Sequence, residues 1–335
     1  MRSSRIFVFK LSNELRALSK AEFRAVVEAE APDSSYECLG ELVFAEMSED
    51  EAVNVASRMA LIKSWGRLID VCELNDVQDL VAFVKKLEEE GYCISIDCVR
   101  GYGKDLVHKA LGRGMKVKSC REAKNEPMAE VVLIDGIAVA YQVKRLKRSE
   151  RFGHREPHRR PIYLPGTMKA WLARVFVNLA RVRRGDTLLD PFCGVGGFAL
   201  EACAMGIKCI CCDIDLRMVC GARANVRHYG CEDLVEVLQC DAAMEPALRV
   251  DAIATDPPYG RMSVPRGRSL AELMTMFIRR CLDAVRNGGH VVFAVPEYID
   301  PTIVRLLNEL GLTIVERLLN WVHGGLVRVL YVVKV

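Results

Sequence analysis

From residue 187 to the last residue the sequence alternates short, almost wholly apolar runs with amphipathic ones, and few folds accept that pattern. TLLD, IKCICCD, LVEVLQ, AIATD and HVVFAV read as strands separated by stretches of helical periodicity or turn residues. Strands that are apolar on both faces need cover on both faces, so the pattern predicts a mainly parallel sheet with helices on each side. TIVERLL and LVRVLYVVKV close the chain with no helix between them, so the final strand is expected to insert antiparallel. The expected fold class is therefore α/β, with a seven-stranded, doubly wound sheet over residues 166–335 entered by a helix at about 168–182.

The first 145 residues have a different character. Helical periodicity at about 12–30 and 76–90 is interleaved with strand-like runs near 5–10, 36–45, 68–74 and 93–99. A short helix is expected near 104–111. AEVVLID and IAVAYQV flank Asp135-Gly136, a strong two-residue hairpin signal. This region is α+β and carries no Gly-rich loop.

Charge divides the chain again. Residues 1–98 carry 11 Lys/Arg against 19 Asp/Glu, residues 99–160 carry 16 against 7, and residues 161–335 carry 20 against 18. A basic island between an acidic and a near-neutral module suits a polyanion, most often nucleic acid. Lys116, Lys118, Lys144, Arg145, Lys147 and Arg148 are the candidates for phosphate contact. QVKRLKRSERFGHREPHRR, inside that island, reads as a polar linker or arm.

Fourteen cysteines in 335 residues are too sparse for a disulfide scaffold, and they are expected to serve as small buried hydrophobes. No ligand cluster has metal spacing, so no metal is expected. No run of about 18 apolar residues occurs, and MRSSRIFVFKLSNELR returns to charge too soon for a secretory signal. A cytoplasmic protein without a membrane partner is expected.

Two motifs carry chemistry. DPFCGVGGFALEA follows the first strand of the alternating region and opens a helix, with Gly194, Gly196 and Gly197 able to turn tightly beside a ligand. Nicotinamide enzymes also place a Gly-rich turn there, but with G-x-G-x-x-G spacing. Here the spacing is G-x-G-G, and the preceding Asp190-Pro191-Phe192 suits an ammonium more than a pyrophosphate. Asp213 ends the second strand, where a carboxylate can take ribose hydroxyls, and Asp215 is expected to cap the next helix. Asp241 follows the third strand, where an adenine amino group would be met. The second motif, Thr255-Asp256-Pro257-Pro258-Tyr259-Gly260, ends the fourth strand. Its prolines remove two amide donors and hold the chain extended. Carbonyls and the Asp256 carboxylate are left as acceptors for an exocyclic amine, with Tyr259 as a face on which a flat base could stack. The motif does not by itself separate one nucleobase amine from another, nor one position in a nucleic acid from another. A binding protein that retained the fold without chemistry is a further alternative.

DPFCGVGG, CDID, QCDA and TDPPYG, in this order, resemble the Rossmann-like S-adenosylmethionine-dependent methyltransferases that act on exocyclic amines. With HREPHRRPIYLPGTMKAWLARVFVNLA and Ala222-Arg-Ala-Asn225, the chain is similar to the archaeal tRNA guanine-10 N2-methyltransferase family. That resemblance implies a ferredoxin-like domain at 1–50, a THUMP RNA-binding domain at 51–145, a basic linker at 146–165 and a methyltransferase domain at 166–335. It implies S-adenosylmethionine held by Thr167, Asp190, Phe192, Gly194, Gly196, Asp213, Ile214, Asp241, Ala242 and Asp256. The target base would then meet Asp256, Pro257, Pro258 and Tyr259. The partner would be tRNA, the enzyme a monomer, and the products N2-methylguanosine and N2,N2-dimethylguanosine at position 10. Val195 stands where the family often has Thr, and His323-Gly324-Gly325 where His-x-Ser is usual.

Overall fold

The structure, a computed structural model, describes residues 5–99, 103–112, 127–242, 249–258, 269–323 and 326–335. They form two compact units. The first holds the residues up to Ser19, then Asp33–Ser57 and Ile62–Lys147; the second holds Lys20–Pro32, Arg58–Leu61 and Arg148–Val335.

The amino-terminal elements are β1 (Arg5–Leu11), α1 (Arg16–Glu30), β2 (Ser35–Leu39), β3 (Leu42–Met47) and α2 (Glu49–Arg58). They are followed by β4 (Ile62–Glu73), α3 (Val77–Glu89), β5 (Cys93–Cys98), α4 (Gly103–Gly112), β6 (Met128–Ile134) and β7 (Ile137–Arg145). One sheet in the order β2-β3-β1-β4-β7-β6-β5 runs through both residues 1–50 and residues 51–145. Its pairs are antiparallel except β5 with β6. β4 begins at Ile62, well before the alternation near 68, because β1 and β7 pair with its two sides. Gly66 permits that approach: a Cβ there would lie 1.7 Å from the Gln142 carbonyl oxygen. The β6–β7 hairpin turns at Asp135 (φ 48°) and Gly136 (φ 83°), as its dipeptide predicts. Under the sheet, Lys10 is only 3% exposed and is held by Asp97 and by Glu130 at 2.8 Å. Ser64 and Tyr141 donate to the other Glu130 oxygen, so this buried ion has its partners in place.

The second unit continues with α5 (Arg148–Phe152), α6 (Ala170–Leu179), β8 (Thr187–Asp190), α7 (Gly197–Cys203), β9 (Lys208–Asp213) and α8 (Leu216–His228). Then come β10 (Val235–Gln239), β11 (Val250–Thr255), α9 (Leu270–Ala284), β12 (Val285–Pro296), α10 (Asp300–Glu309), β13 (Thr313–His323) and β14 (Leu326–Lys334). The sheet order is β10-β9-β8-β11-β12-β14-β13. The first five strands are parallel, and β14 inserts antiparallel between β12 and β13, as the missing final helix requires. The core beneath α9 and α10 is aromatic: Phe293 stacks on Tyr331 at 5.3 Å and meets Phe277 edge-on at 6.0 Å.

Three features of this unit differ from expectation. Residues 148–160, expected as linker, fold into α5 and two short 3-10 turns, with Phe152, Arg155 and Arg160 buried. The reason is a fully buried carboxylate, Glu201 of α7, which takes Arg155 Nε at 2.7 Å and Arg174 Nη2 at 2.9 Å. The second half of α1 also belongs to this unit. Its buried Glu22 accepts the backbone N–H groups of Ala60 and Leu61, each at 2.8 Å, and the Asn178 amide at 2.7 Å. Finally, Cys203 and Cys231 are joined by a disulfide, because α7 and α8 end close together, whereas Cys193, Cys209, Cys211, Cys212 and Cys281 are buried thiols as expected. Among the described residues no group of three or more His, Cys, Asp or Glu side chains could hold a metal ion. No helix there is long and apolar enough to cross a membrane.

Candidate active site

The parallel strands β9, β8 and β11 lie side by side, and each ends in or just before an aspartate: Asp213, Asp190 and Asp256. Open α/β sheets bind ligands at such carboxyl ends.

Asp190 is completely buried. Its Oδ1 accepts from Thr255 Oγ1 at 2.7 Å and from Phe192 N at 3.3 Å, while its Oδ2 has no partner among the described residues. Burial pushes its carboxyl up to about 8, aided by the charges of Asp213 and Asp256 and opposed by those two hydrogen bonds. Gly194 (φ 51°) and Gly196 (φ 85°) form the turn that follows, in a backbone region that side chains disfavour. Asp213 accepts the Gly194 N–H and the Asp215 N–H, both at 2.9 Å, so it shapes the Gly-rich turn as well as facing its end. Burial raises its carboxyl too. Asp215 caps α8 through Arg217 N, as expected.

Asp241 and Ala242 lie on the wall of a cavity of about 260 Å³ with Pro191, Leu189, Ile253 and Phe277. Phe192 packs edge-on against Phe277 at 5.4 Å, and the Ile214 carbonyl accepts from Gln239 Nε2 at 3.1 Å. Thr167 closes a tight turn with Leu164: its hydroxyl donates to the Leu164 carbonyl at 2.7 Å and accepts the Leu164 N–H at 3.2 Å. Pro257 is buried beside the partly buried Asp256 and Pro258. Tyr259 lies outside the described residues, as do Lys116, Lys118, Gly324 and Gly325.

Two residues beside these groups were given no role in the sequence reading, although Asn225 stands in the quoted Ala222–Asn225 motif. Arg328 of β14, 5% exposed, donates from Nη1 to both Asp256 oxygens at 3.2 and 3.1 Å and from Nε to Asn320 Oδ1 at 2.8 Å. Burial pushes the Asp256 carboxyl up to about 6, and the Arg328 charge limits that rise. The sequence signal was a lone arginine in the otherwise apolar run LVRVLYVV. Asn225 of α8, fully buried, is the second. Its amide donates to the Val195 carbonyl at 2.9 Å and the Ile162 carbonyl at 2.8 Å, and its oxygen accepts the Ile162 N–H at 3.0 Å. The Gly-rich turn is thereby strapped to residues 160–163. Val195 contributes its backbone here, which any residue could do.

Of the basic candidates, Lys144 lies over the Trp65 ring at 4.7 Å and 3.9 Å from Glu49, and Arg145 donates to Ser95 at 2.6 Å. Lys147 is exposed, and Arg148 stacks over Trp171 at 4.6 Å.

The residues present suit S-adenosylmethionine. A buried carboxylate oxygen with no partner among the described residues, beside a positive-φ glycine turn, is a place for an ammonium, and three crowded carboxylates favour a cationic ligand. The cavity rimmed by Asp241 is apolar enough for a flat heteroaromatic ring.

Residues 157–329 match the UPF0020 family, described as an RMKL-like methyltransferase domain. Over 97% of its length the chain is 32% identical to the tRNA (guanine(10)-N2)-dimethyltransferase of Methanothermobacter thermautotrophicus, covering 98% of that protein. It is 30% identical over 88% of its length to the enzyme of the same name from Methanocaldococcus jannaschii, covering 82% of it. The crystal structure of TrmN from Thermus thermophilus superimposes with a TM-score of 0.58 at 19% identity, over 98% of this chain and 99% of that one, which speaks for the fold. With a methyltransferase domain behind its paired Asp-Pro motifs and full-length relatives of one kind, the chain belongs to the tRNA (guanine(10)-N2)-dimethyltransferase family.

Proposed function

We propose that the protein methylates the exocyclic N2 of guanosine 10 in tRNA twice, using S-adenosylmethionine, as a monomer in the cytoplasm. The observation that carries this reading is the alignment of Asp190, Asp213 and Asp256 at the ends of three adjacent parallel strands, in a chain whose relatives are named for this reaction.

When bound, S-adenosylmethionine supplies an electrophilic methyl group on a sulfonium. In this assignment Asp190 holds the ammonium through Oδ2, with Phe192, Gly194 and Gly196 shaping the seat and Thr167 keeping the neighbouring turn closed. Asp213 and Ile214 take the ribose side, and Asp241 and Ala242 the adenine edge. Asp256 and the Pro257 carbonyl accept the two N–H bonds of the guanine amine, and Tyr259 supplies a stacking face. Pro258 keeps the segment extended.

An aromatic amine is a weak nucleophile because its lone pair is drawn into the ring. Hydrogen bonds from its N–H groups to Asp256 localise that lone pair and stabilise the positive charge that develops on nitrogen. As the N–C bond forms and the methyl–sulfur bond breaks, its electron pair returning to sulfur, one N–H proton would pass to the Asp256 carboxylate and on to solvent. Arg328 and Asn320 keep Asp256 ionised and aimed. Residues 1–50 and 51–145 are proposed as the ferredoxin-like and THUMP parts of an RNA-binding module, with Lys116, Lys118, Lys144, Arg145, Lys147 and Arg148 meeting phosphates.

Two variants separate the roles. Asp256→Ala should abolish N2-methylation of unmodified tRNA while calorimetric affinity for S-adenosylmethionine stays within a few-fold. Asp213→Ala should weaken cofactor binding first. Loss of cofactor binding in Asp256→Ala would overturn the assignment of that residue to the base.

A further inference from the structure

The run QVKRLKRSERFGHREPHRR sorts its cations into two sets once folded. Arg155 and Arg160 point inward, 9% and 4% exposed, whereas His154, His158 and Arg159 are exposed and Arg148 is half-buried. The outward set, with Lys169 and Trp171, lines an open groove of about 990 Å³ within the second unit. Glu156 is the one acidic residue among its lining residues. Arg159 and Lys169 form no ion pair among the described residues.

The groove is built on a firm floor. The His154 carbonyl accepts the Tyr229 hydroxyl at 2.7 Å, and its Nε2 meets Arg155 Nη1 at 2.7 Å. Arg155 is in turn held by Glu201, so the backbone that displays the cations is anchored to α7 and α8. The buried Glu201 also takes Arg174, so the cations beneath this backbone are held by a shared carboxylate. Burial lowers the Arg151 guanidinium to about 10, with the charges of Arg174 and Arg155 adding to the fall and those of Glu22 and Glu201 opposing it. Exposed cations gathered on an anchored backbone focus a positive field at the groove. Arg148 on the face of Trp171, 4.6 Å from its centre, adds a rigid, flat platform of the kind that accepts a sugar or base edge.

We propose that this groove binds a sugar–phosphate strand of the substrate tRNA, giving the catalytic unit RNA contacts of its own. The proposal rests on the reading of tRNA as substrate. Arg159 and Lys169 each neutralise a phosphate, and His154 and His158 donate to phosphate or ribose oxygens. The chemistry that fits is a flexible polyanion with planar groups. Small anions meet only part of it.

The full-length protein with Arg159→Glu and Lys169→Glu tests this, using unmodified tRNA transcript as the probe. Lys208→Glu with Arg305→Glu, both exposed and away from the groove lining, makes the same change in net charge. The groove pair should raise the Kd for tRNA about tenfold or more and reduce the slope of log affinity against log salt by roughly 1.4–1.8. It should leave the Kd for S-adenosylmethionine unchanged, which also reports that the unit is folded. The control pair should leave tRNA affinity within about twofold. Equal effects from both pairs, or no effect from the groove pair, would overturn the proposal. If wild-type protein neither binds nor methylates tRNA, the substrate reading itself fails, a result distinct from either of those.

Discussion

Asp190 shows how much of the site resides in single side chains. Its carboxyl, near 8 in the folded protein against about 3.9 in an unfolded chain, binds its proton more tightly when folded. Its contribution to stability is therefore greatest below about pH 4 and is lost as pH rises toward 8. Asp190→Asn removes that loss. Its unfolding midpoint should exceed the wild-type value by a margin that widens from pH 6 to pH 8, while S-adenosylmethionine affinity falls at least about tenfold. A variant without the pH-dependent gain would show that Asp190 is ionised in the free protein. Asp256 makes the second prediction. As an acceptor it must be ionised, so methylation should rise with pH through about 6 and then level. Arg328→Gln removes the charge that opposes burial, so this acidic limb should move to higher pH, with more activity lost at pH 6 than at pH 8. A limb that stays in place would separate Arg328 from catalysis. The three aspartates were legible in the sequence because strand ends in an alternating chain are identifiable. Arg328 was not, because its partner lies 72 residues away and only the closed sheet joins them.

At the scale of elements, the same contrast holds for residues 148–160. A run this basic is read as solvated, since isolated buried charge is prohibitive. What the run does not reveal is that Glu201, 46 residues beyond Arg155, waits in an apolar helix to receive Arg155 together with Arg174 of α6. Glu201→Ala should leave Arg155 and Arg174 buried without their counter-ion and cost about 3–5 kcal/mol of stability, read from denaturant unfolding. Limited proteolysis should then cut between 148 and 160 sooner than in the wild type. Unchanged stability would mean that the triad forms only weakly. The antiparallel last strand of the second sheet, by contrast, follows from patterning, because no helix separates β13 from β14.

For the whole molecule, the division into parts was less legible than the fold of each. One sheet continues from β1 to β7 across the expected boundary near residue 50, and the second half of α1 joins the catalytic unit through Glu22. Local periodicity identifies helices and strands, but which unit an amphipathic helix packs against depends on residues far along the chain, here Asn178. The chemistry at this scale is a sequence of two transfers. In the proposed assignment, once the first methyl is added the amine keeps one N–H for Asp256 and loses its bond to the Pro257 carbonyl. That loss should cost about 1–3 kcal/mol and slow the second step roughly tenfold or more.

The most direct test is a time course of nucleoside composition by mass spectrometry, with wild-type enzyme, S-adenosylmethionine and two transcripts, one unmodified tRNA and one with adenosine at position 10. The account predicts that N2-methylguanosine appears first in the unmodified transcript and declines as N2,N2-dimethylguanosine rises, with neither formed in the substituted one. Methylated guanosine in the substituted transcript, or methyl transfer to another base, would contradict it.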